Sequence, residues 1–217
     1  MVQNIVQNVA RSRLFNLLLL FTIIGEFLLP WILGRYYKGY DGKTMVMSAL
    51  GSPQSPVRVI YNTWLIWLGG FLLFVAMVFY LSTKAKSPIL SVLLFFSIGV
   101  FAVGAGLVSG LFSVNETKDS ITIASKIHGV SAAIGFMTLL FFPLLNGILS
   151  FKQGNALWGF VDIVSFVLSL VCFICFIMGD KAQSKNTILG YEGLWERLSL
   201  FFMYVPFIHI AIERLSV

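Results

Sequence analysis

Six runs of roughly twenty predominantly apolar residues recur along this chain, the length that crosses the hydrocarbon core of a bilayer. They lie at about Leu14–Leu33, Tyr61–Ser82, Ile89–Ser113, Ile127–Ser150, Leu157–Gly179 and Leu198–Ser216. Lipid offers no water to the backbone, so each run must satisfy its own N–H and C=O groups as a helix. The expected fold is all-α, a six transmembrane helix bundle forming a single polytopic membrane domain over residues 1–217. Composition agrees: 58% of residues are hydrophobic and 11% charged, where a water-soluble domain carries about 25% charged residues. No small-residue cleavage site follows the first run, so it reads as a retained span rather than a signal peptide.

The connections alternate in length. Those after the second span (TKAKSP) and the fourth (FKQGN) are short, the other three are long, and an even number of spans puts both termini on one side. Six basic residues flank the termini and short loops: Arg11, Arg13, Lys84, Lys86, Lys152 and Arg214. Nine occupy the long connections: Arg35, Lys38, Lys43, Arg58, Lys118, Lys126, Lys181, Lys185 and Arg197. The raw count favours long loops inside, but the density and the RSR run ahead of the first span favour the termini inside. We take the termini as cytoplasmic, the long loops as outer, and the location as the cell membrane. The net charge of +6 then points to anionic membrane lipid, with no nucleic-acid partner expected.

The two cysteines, Cys172 and Cys175, form C-x-x-C inside the apolar run VLSLVCFICFIMG, without further sulfur ligands or a redox-domain context, and read as buried and unreactive. The third span is rich in glycine. Gly106 and Gly110 form G-x-x-x-G, which permits close helix approach inside the bundle or across a dimer; packing inside the bundle is the preferred reading, with Gly99 and Gly104 alongside.

Ionisable groups within spans are costly and so become functional candidates. Glu26 lies seven residues from the outer end of the first span, about 10 Å deep, where a carboxyl is either protonated or paired. A structural hydrogen bond is one reading, a proton or cation site the other. Asp162 reads as an interfacial acid in the first turn of its helix, and His209 as a satisfied bundle histidine. His128 and His209 sit near opposite ends of their helices, so they do not clamp one haem. No H-x-x-x-H or H-E-x-x-H spacing suggests a metal, and no cofactor is expected.

The outer ends are richer. The stretch GYEGLWERLSLFF, from Gly190, places Glu196 beside Arg197 at the entrance to the last span. Helix neighbours one position apart do not face each other, so each should find its partner elsewhere. The first long loop brings Asp41, Ser48 and Gly51, and Asn62 opens the second span either as a site residue or as the cap of its own helix. His128 lies three residues from Ser125 and from Ser131, a spacing that allows a histidine–serine contact. A Ser–His–acid hydrolase can be assembled from such parts, though no nucleophile-elbow signature accompanies them. In a compact bundle the three long connections meet at one mouth.

The SALG of residues 48–51, the proline-containing turn after it, Asn62, the glycine-rich third span, His128 and the Gly-…-Glu-Arg element entering the sixth span resemble a bacterial and archaeal six-span family known as domain of unknown function 998. The matching residues are Ser48, Leu50, Gly51, Asn62, Gly104, Gly106, His128, Gly193, Glu196 and Arg197. Ala49 departs from the pattern, standing where the family commonly has aspartate. The family is distantly akin to the Frag-DRAM-Sfk group, linked to lipid handling. The resemblance implies the six-span fold and brings Asn62 and His128 to the mouth, without transferring an activity.

Three readings follow. An accessory or structural protein, working with a protein partner in the membrane or alone, leads, and implies a closed mouth whose polar groups satisfy one another. A lipid- or headgroup-binding protein or lipid-modifying enzyme implies an outward-opening pocket, with Arg197, Asn62 and Ser48 as ligand-binding candidates and His128 and Glu196 as catalytic candidates. A small proton- or cation-coupled transporter implies a polar path from Glu26 to both faces.

Overall fold

The computed structural model describes residues 2–115, 122–179, 181 and 187–216. Lys118 and Lys185, counted above among the long-loop cations, lie outside the described residues. Among the described residues the structure is helical with no strands, and six helices are long and apolar enough to cross a membrane: Arg13–Tyr36, Arg58–Thr83, Pro88–Leu111, Ile123–Lys152, Ala156–Gly179 and Glu192–Leu215. The expected spans are all present. The largest boundary shift is in the sixth, which begins six residues before Leu198, so Glu196 and Arg197 lie within the helix rather than ahead of it. A further helix, Val2–Arg11, precedes the first span and was not anticipated. It docks at the terminal end, where Gln7 donates to the Ser82 carbonyl and Arg214 donates to that of Ala10.

Sequential spans lie side by side, and the six close into a ring in which the first also packs against the sixth. The second connection is compact because Thr83 and Ser91 share a hydroxyl hydrogen bond of 2.7 Å and Pro88 opens the next helix. The fourth turns at Gly154, whose φ of +80° suits glycine. The fourth span is interrupted between Leu139 and Phe142, immediately before Pro143.

The third span holds the main departure from ideal helix, a π-helical segment over Ala102–Val108. Ser109 Oγ donates to the Gly104 carbonyl five residues back. A Cβ on Gly106 would collide with Gly69 of the second span, and one on Gly104 with the Ser131 carbonyl of the fourth. These glycines are sites of close backbone approach inside the bundle, as the preferred reading of G-x-x-x-G requires. Gly99 does not share that role: its nearest neighbour is Leu73, at ordinary van der Waals distance. Cys172 is buried, Cys175 half-buried, and both are free thiols.

Candidate functional site at the long-loop mouth

The sixth span is bolted to the first long loop through its opening turns. Gly193 lies directly against the carbonyls of Gly42 and Met45, where any Cβ would collide, and Leu194 N donates 2.9 Å to the Lys43 carbonyl. This approach brings Arg197 over the loop. Its Nη1 donates to the carbonyls of Gly42 and Gly193, both at 2.7 Å, and of Met45 at 3.2 Å, while Nη2 donates to the Tyr40 hydroxyl. Glu196 Oε2 accepts from Met47 N at 2.7 Å. The expectation that each neighbour finds its partner elsewhere therefore holds. Its corollary, that the two do not meet, needs correction: Arg197 Nη1 is still 4.0 Å from Glu196 Oε2, because both side chains turn onto the same loop. Burial raises Tyr40 above the ordinary phenol value, and the Arg197 guanidinium draws it partly back.

Behind this bolt lies an internal cavity of about 60 Å³, to which five spans and the first loop contribute. Its polar lining is Glu26, Ser48, Tyr61, Ser109, His128 and Glu196. Four of the six candidate residues, Glu26, Ser48, His128 and Glu196, thus share one space. Both carboxyls and the imidazole are fixed by hydrogen bonds. Trp64 Nε1 donates to Glu26 Oε2 at 2.6 Å, the structural hydrogen bond that the depth of Glu26 demands. His128 Nδ1 lies 2.8 Å from the Phe112 carbonyl. A carbonyl can only accept, so Nδ1 carries the proton, and the Ser109 carbonyl lies beside the same ring.

Two local expectations are corrected. Asn62 does not cap its own helix, which begins at Arg58; its Nδ2 donates to Ser113 Oγ, shared with Arg58 Nε, while its Oδ1 is buried without a partner against Gly51. Neither nearby serine meets the His128 ring. Ser131 Oγ donates to the His128 main-chain carbonyl, and Ser125 closes a capping box with Thr122. Helical spacing placed these serines near the backbone, where a hydroxyl finds an acceptor within its own turn.

Tyr61, Trp64 and Tyr40 are site residues that pattern reading passed over. A buried indole N–H needs an acceptor, so Trp64 was the available signal opposite Glu26.

At the terminal end, Asp162 and His209 form a second buried polar cluster in place of two independently satisfied residues. His209 Nε2 lies 2.9 Å from Asp162 Oδ1, Asn146 Nδ2 donates 2.7 Å to Oδ2, and the imidazole stacks on Trp158 with centroids 4.3 Å apart. Asp162 is fully buried between helices rather than interfacial. Thirteen residues separate Glu196 from His209, about 20 Å of helix. Between the clusters lie packed rings of Phe79, Phe101, Phe142, Tyr204 and Phe207.

On the flank between the first and sixth spans opens a cleft of about 1010 Å³. Ile23, Ile24, Phe27, Leu28, Phe201 and Ile208 form its apolar walls, and at its long-loop end stand Arg35, Lys43 and Arg197, with Asp41. Arg35 lies over the Trp31 ring at 3.7 Å.

No curated protein and no solved structure matches the chain. The family described as "Protein of unknown function (DUF998)" matches residues 23–213, from the first span through the sixth and including every residue of the mouth. This six-span membrane protein belongs to the DUF998 family.

Proposed function

We propose that this protein binds a membrane lipid with an anionic headgroup in the cleft between its first and sixth spans. The observation that carries this reading is the cleft's polarity: a long apolar trough that ends at three basic side chains. From Leu194 to Ile208 it follows about 21 Å of the sixth helix, room for one acyl chain laid along Phe27, Leu28 and Phe201. Lys43 and Arg35 then meet the phosphate, with the exposed edge of Arg197 beside them. With the termini cytoplasmic, as the RSR flank supports, this headgroup end faces the outer leaflet.

The accessory or structural reading keeps support from one observation. Arg197 and Glu196 donate to and accept from the loop backbone, which is how a bolt is built. Lipid binding and an accessory role are compatible, since the cleft lies outside that bolt. Transport is less well supported, because the aromatic layer interrupts a polar path between the two buried clusters.

The test is lipid retention by the purified chain, read by native mass spectrometry against equimolar phosphatidylglycerol and phosphatidylcholine. The wild type should retain the anionic lipid preferentially. The pair Arg35→Gln and Lys43→Gln should lose the preference, and Leu28→Trp, which fills the trough, should lose retention altogether. Equal retention of both lipids, unchanged by Leu28→Trp, refutes the reading.

A further inference from the structure

The cavity behind Glu196 gathers groups that a structural bolt does not need. We propose that it is an acyl-transfer centre acting on the carboxylic ester of a membrane lipid, with Ser48 as nucleophile, His128 as general base and Tyr61 as donor to the developing oxyanion. The choice of a lipid as substrate rests on the cleft reading above; the chemistry rests on the cavity alone.

Ser48 sits on the short 3-10 turn Met47–Gly51. One end of that turn is pinned by Met47 N to Glu196, the other by Gly51 packed against Asn62. The Ser48 hydroxyl is half-buried and has no hydrogen-bond partner among the described residues; it shares the cavity with the His128 ring and closes on Nε2 only with the ester bound. His128 is 6% exposed, and its Nδ1–H is held on the Phe112 carbonyl. That bond does the work of the third group in a nucleophile–base–orienter set, with the Ser109 carbonyl also beside the ring, and Nε2 takes the role of base. Phe112 follows closely on the π-helical segment of the third span, the kind of local distortion that recurs at functional sites.

Tyr61 is 2% exposed, lines the same cavity, and its hydroxyl also lacks a partner among the described residues. A phenol O–H with no competing partner is free to turn toward a developing oxyanion. A space of about 60 Å³ is about 5 Å across if round, which holds an ester group or a few waters but no acyl chain. The chain and headgroup must therefore stay outside, with the ester entering past the half-buried Ser48. Glu26 and Glu196, fixed by Trp64 and Met47, border the cavity.

The reaction balances with water as the only further reagent. Ser48 Oγ bonds to the ester carbonyl carbon as its proton passes to His128 Nε2, and Tyr61 O–H donates to the carbonyl oxygen as it becomes an anion. The carbon–oxygen bond to the alcohol breaks, and the departing oxygen takes the proton from Nε2. Water, giving a proton to Nε2, then attacks the acyl-serine. Carboxylic acid leaves, and the proton returns to Ser48.

The test is covalent trapping of the full chain in detergent micelles with a short-chain fluorophosphonate, read by intact mass and peptide mapping. One adduct is expected, on Ser48, and none in Ser48→Ala. His128→Gln should slow labelling by about 100-fold or more, the scale of a general base, and Tyr61→Phe should slow it while leaving the melting temperature nearly unchanged. Absence of an adduct on wild-type Ser48 overturns the proposal. So does a Ser48 adduct that forms equally fast in Tyr61→Phe and in whichever of His128→Gln and His128→Asn stays folded. The probe needs no lipid site, so loss of lipid preference with Ser48 trapping intact removes only the substrate class. Intact lipid retention without trapping removes only the chemistry.

Discussion

Arg197→Gln should release the first long loop from the sixth span. The guanidinium makes two short hydrogen bonds to the loop, 2.7 Å to the Gly42 carbonyl and 2.5 Å to the Tyr40 hydroxyl, a longer one to the Met45 carbonyl, and one within its own helix to Gly193. A hydrogen bond from a charged donor contributes about 1.5–3 kcal/mol, so two would amount to roughly 3–6 kcal/mol. The side chain is 22% exposed, and water can replace part of what is lost, which lowers the expected cost to about 2–4 kcal/mol. For a chain of this length that is a fall in melting temperature of roughly 4–16 °C. The measurement is thermal unfolding in detergent, paired with maleimide labelling of a Thr44→Cys reporter on the loop. Arg197→Gln should melt earlier and change the labelling rate. Arg197→Lys keeps the charge but lacks the planar fork and should fall between. If Arg197→Gln melts like the wild type and the reporter reacts no differently, the bolt does not hold the loop and the reasoning fails.

Gly193→Ala should destabilise by about 1–3 kcal/mol through overpacking against the Gly42 and Met45 carbonyls. Gly129→Ala, where nothing lies within 4 Å, should be neutral or stabilise by up to about 1 kcal/mol; thermal melts of the two that move together contradict this. Asp162→Ala strands Asn146 and His209 and should cost about 1–3 kcal/mol for each group left unpaired at the terminal end, read as earlier melting with little change in loop labelling. Burial holds the Tyr40 phenol above 10 in the folded chain, with Arg197 opposing. The unfolded chain therefore releases that proton first, and stability falls as pH rises beyond about 10. Melting temperature followed against alkaline pH should show a shallower fall in Tyr40→Phe, and parallel profiles would exclude this contribution.

Much of the architecture was legible because hydrocarbon leaves a chain few options. A run such as Leu157–Gly179 has no other way to satisfy its backbone, and the helix observed there spans Ala156–Gly179. The amphipathic Val2–Arg11 helix escaped notice because it is short and lies outside any apolar run. Gly193, Glu196 and Arg197 could be marked as unusual, yet their partners at Gly42, Met45 and Met47 are about 150 positions away. Asp162 and His209 were read separately, since neither helical spacing nor composition relates residues on different spans. Ser125 and Ser131 show the opposite error, in which local spacing suggested a contact that the backbone satisfied instead.

What the sequence determined by itself is the solvent and the secondary structure: six apolar lengths matched to a bilayer, and polar residues too few within them to be accidental. Only the tertiary structure decided which of those polar residues share a space, because that depends on helix rotation and on loops folding back across the mouth. A helix places a side chain every 100°, and which face turns inward is settled by packing against neighbours, as where Gly193 meets a loop carbonyl and Gly106 meets Gly69. That packing brings Glu26, Ser48, His128 and Glu196 around one small cavity and leaves Arg197 facing the cleft beside it.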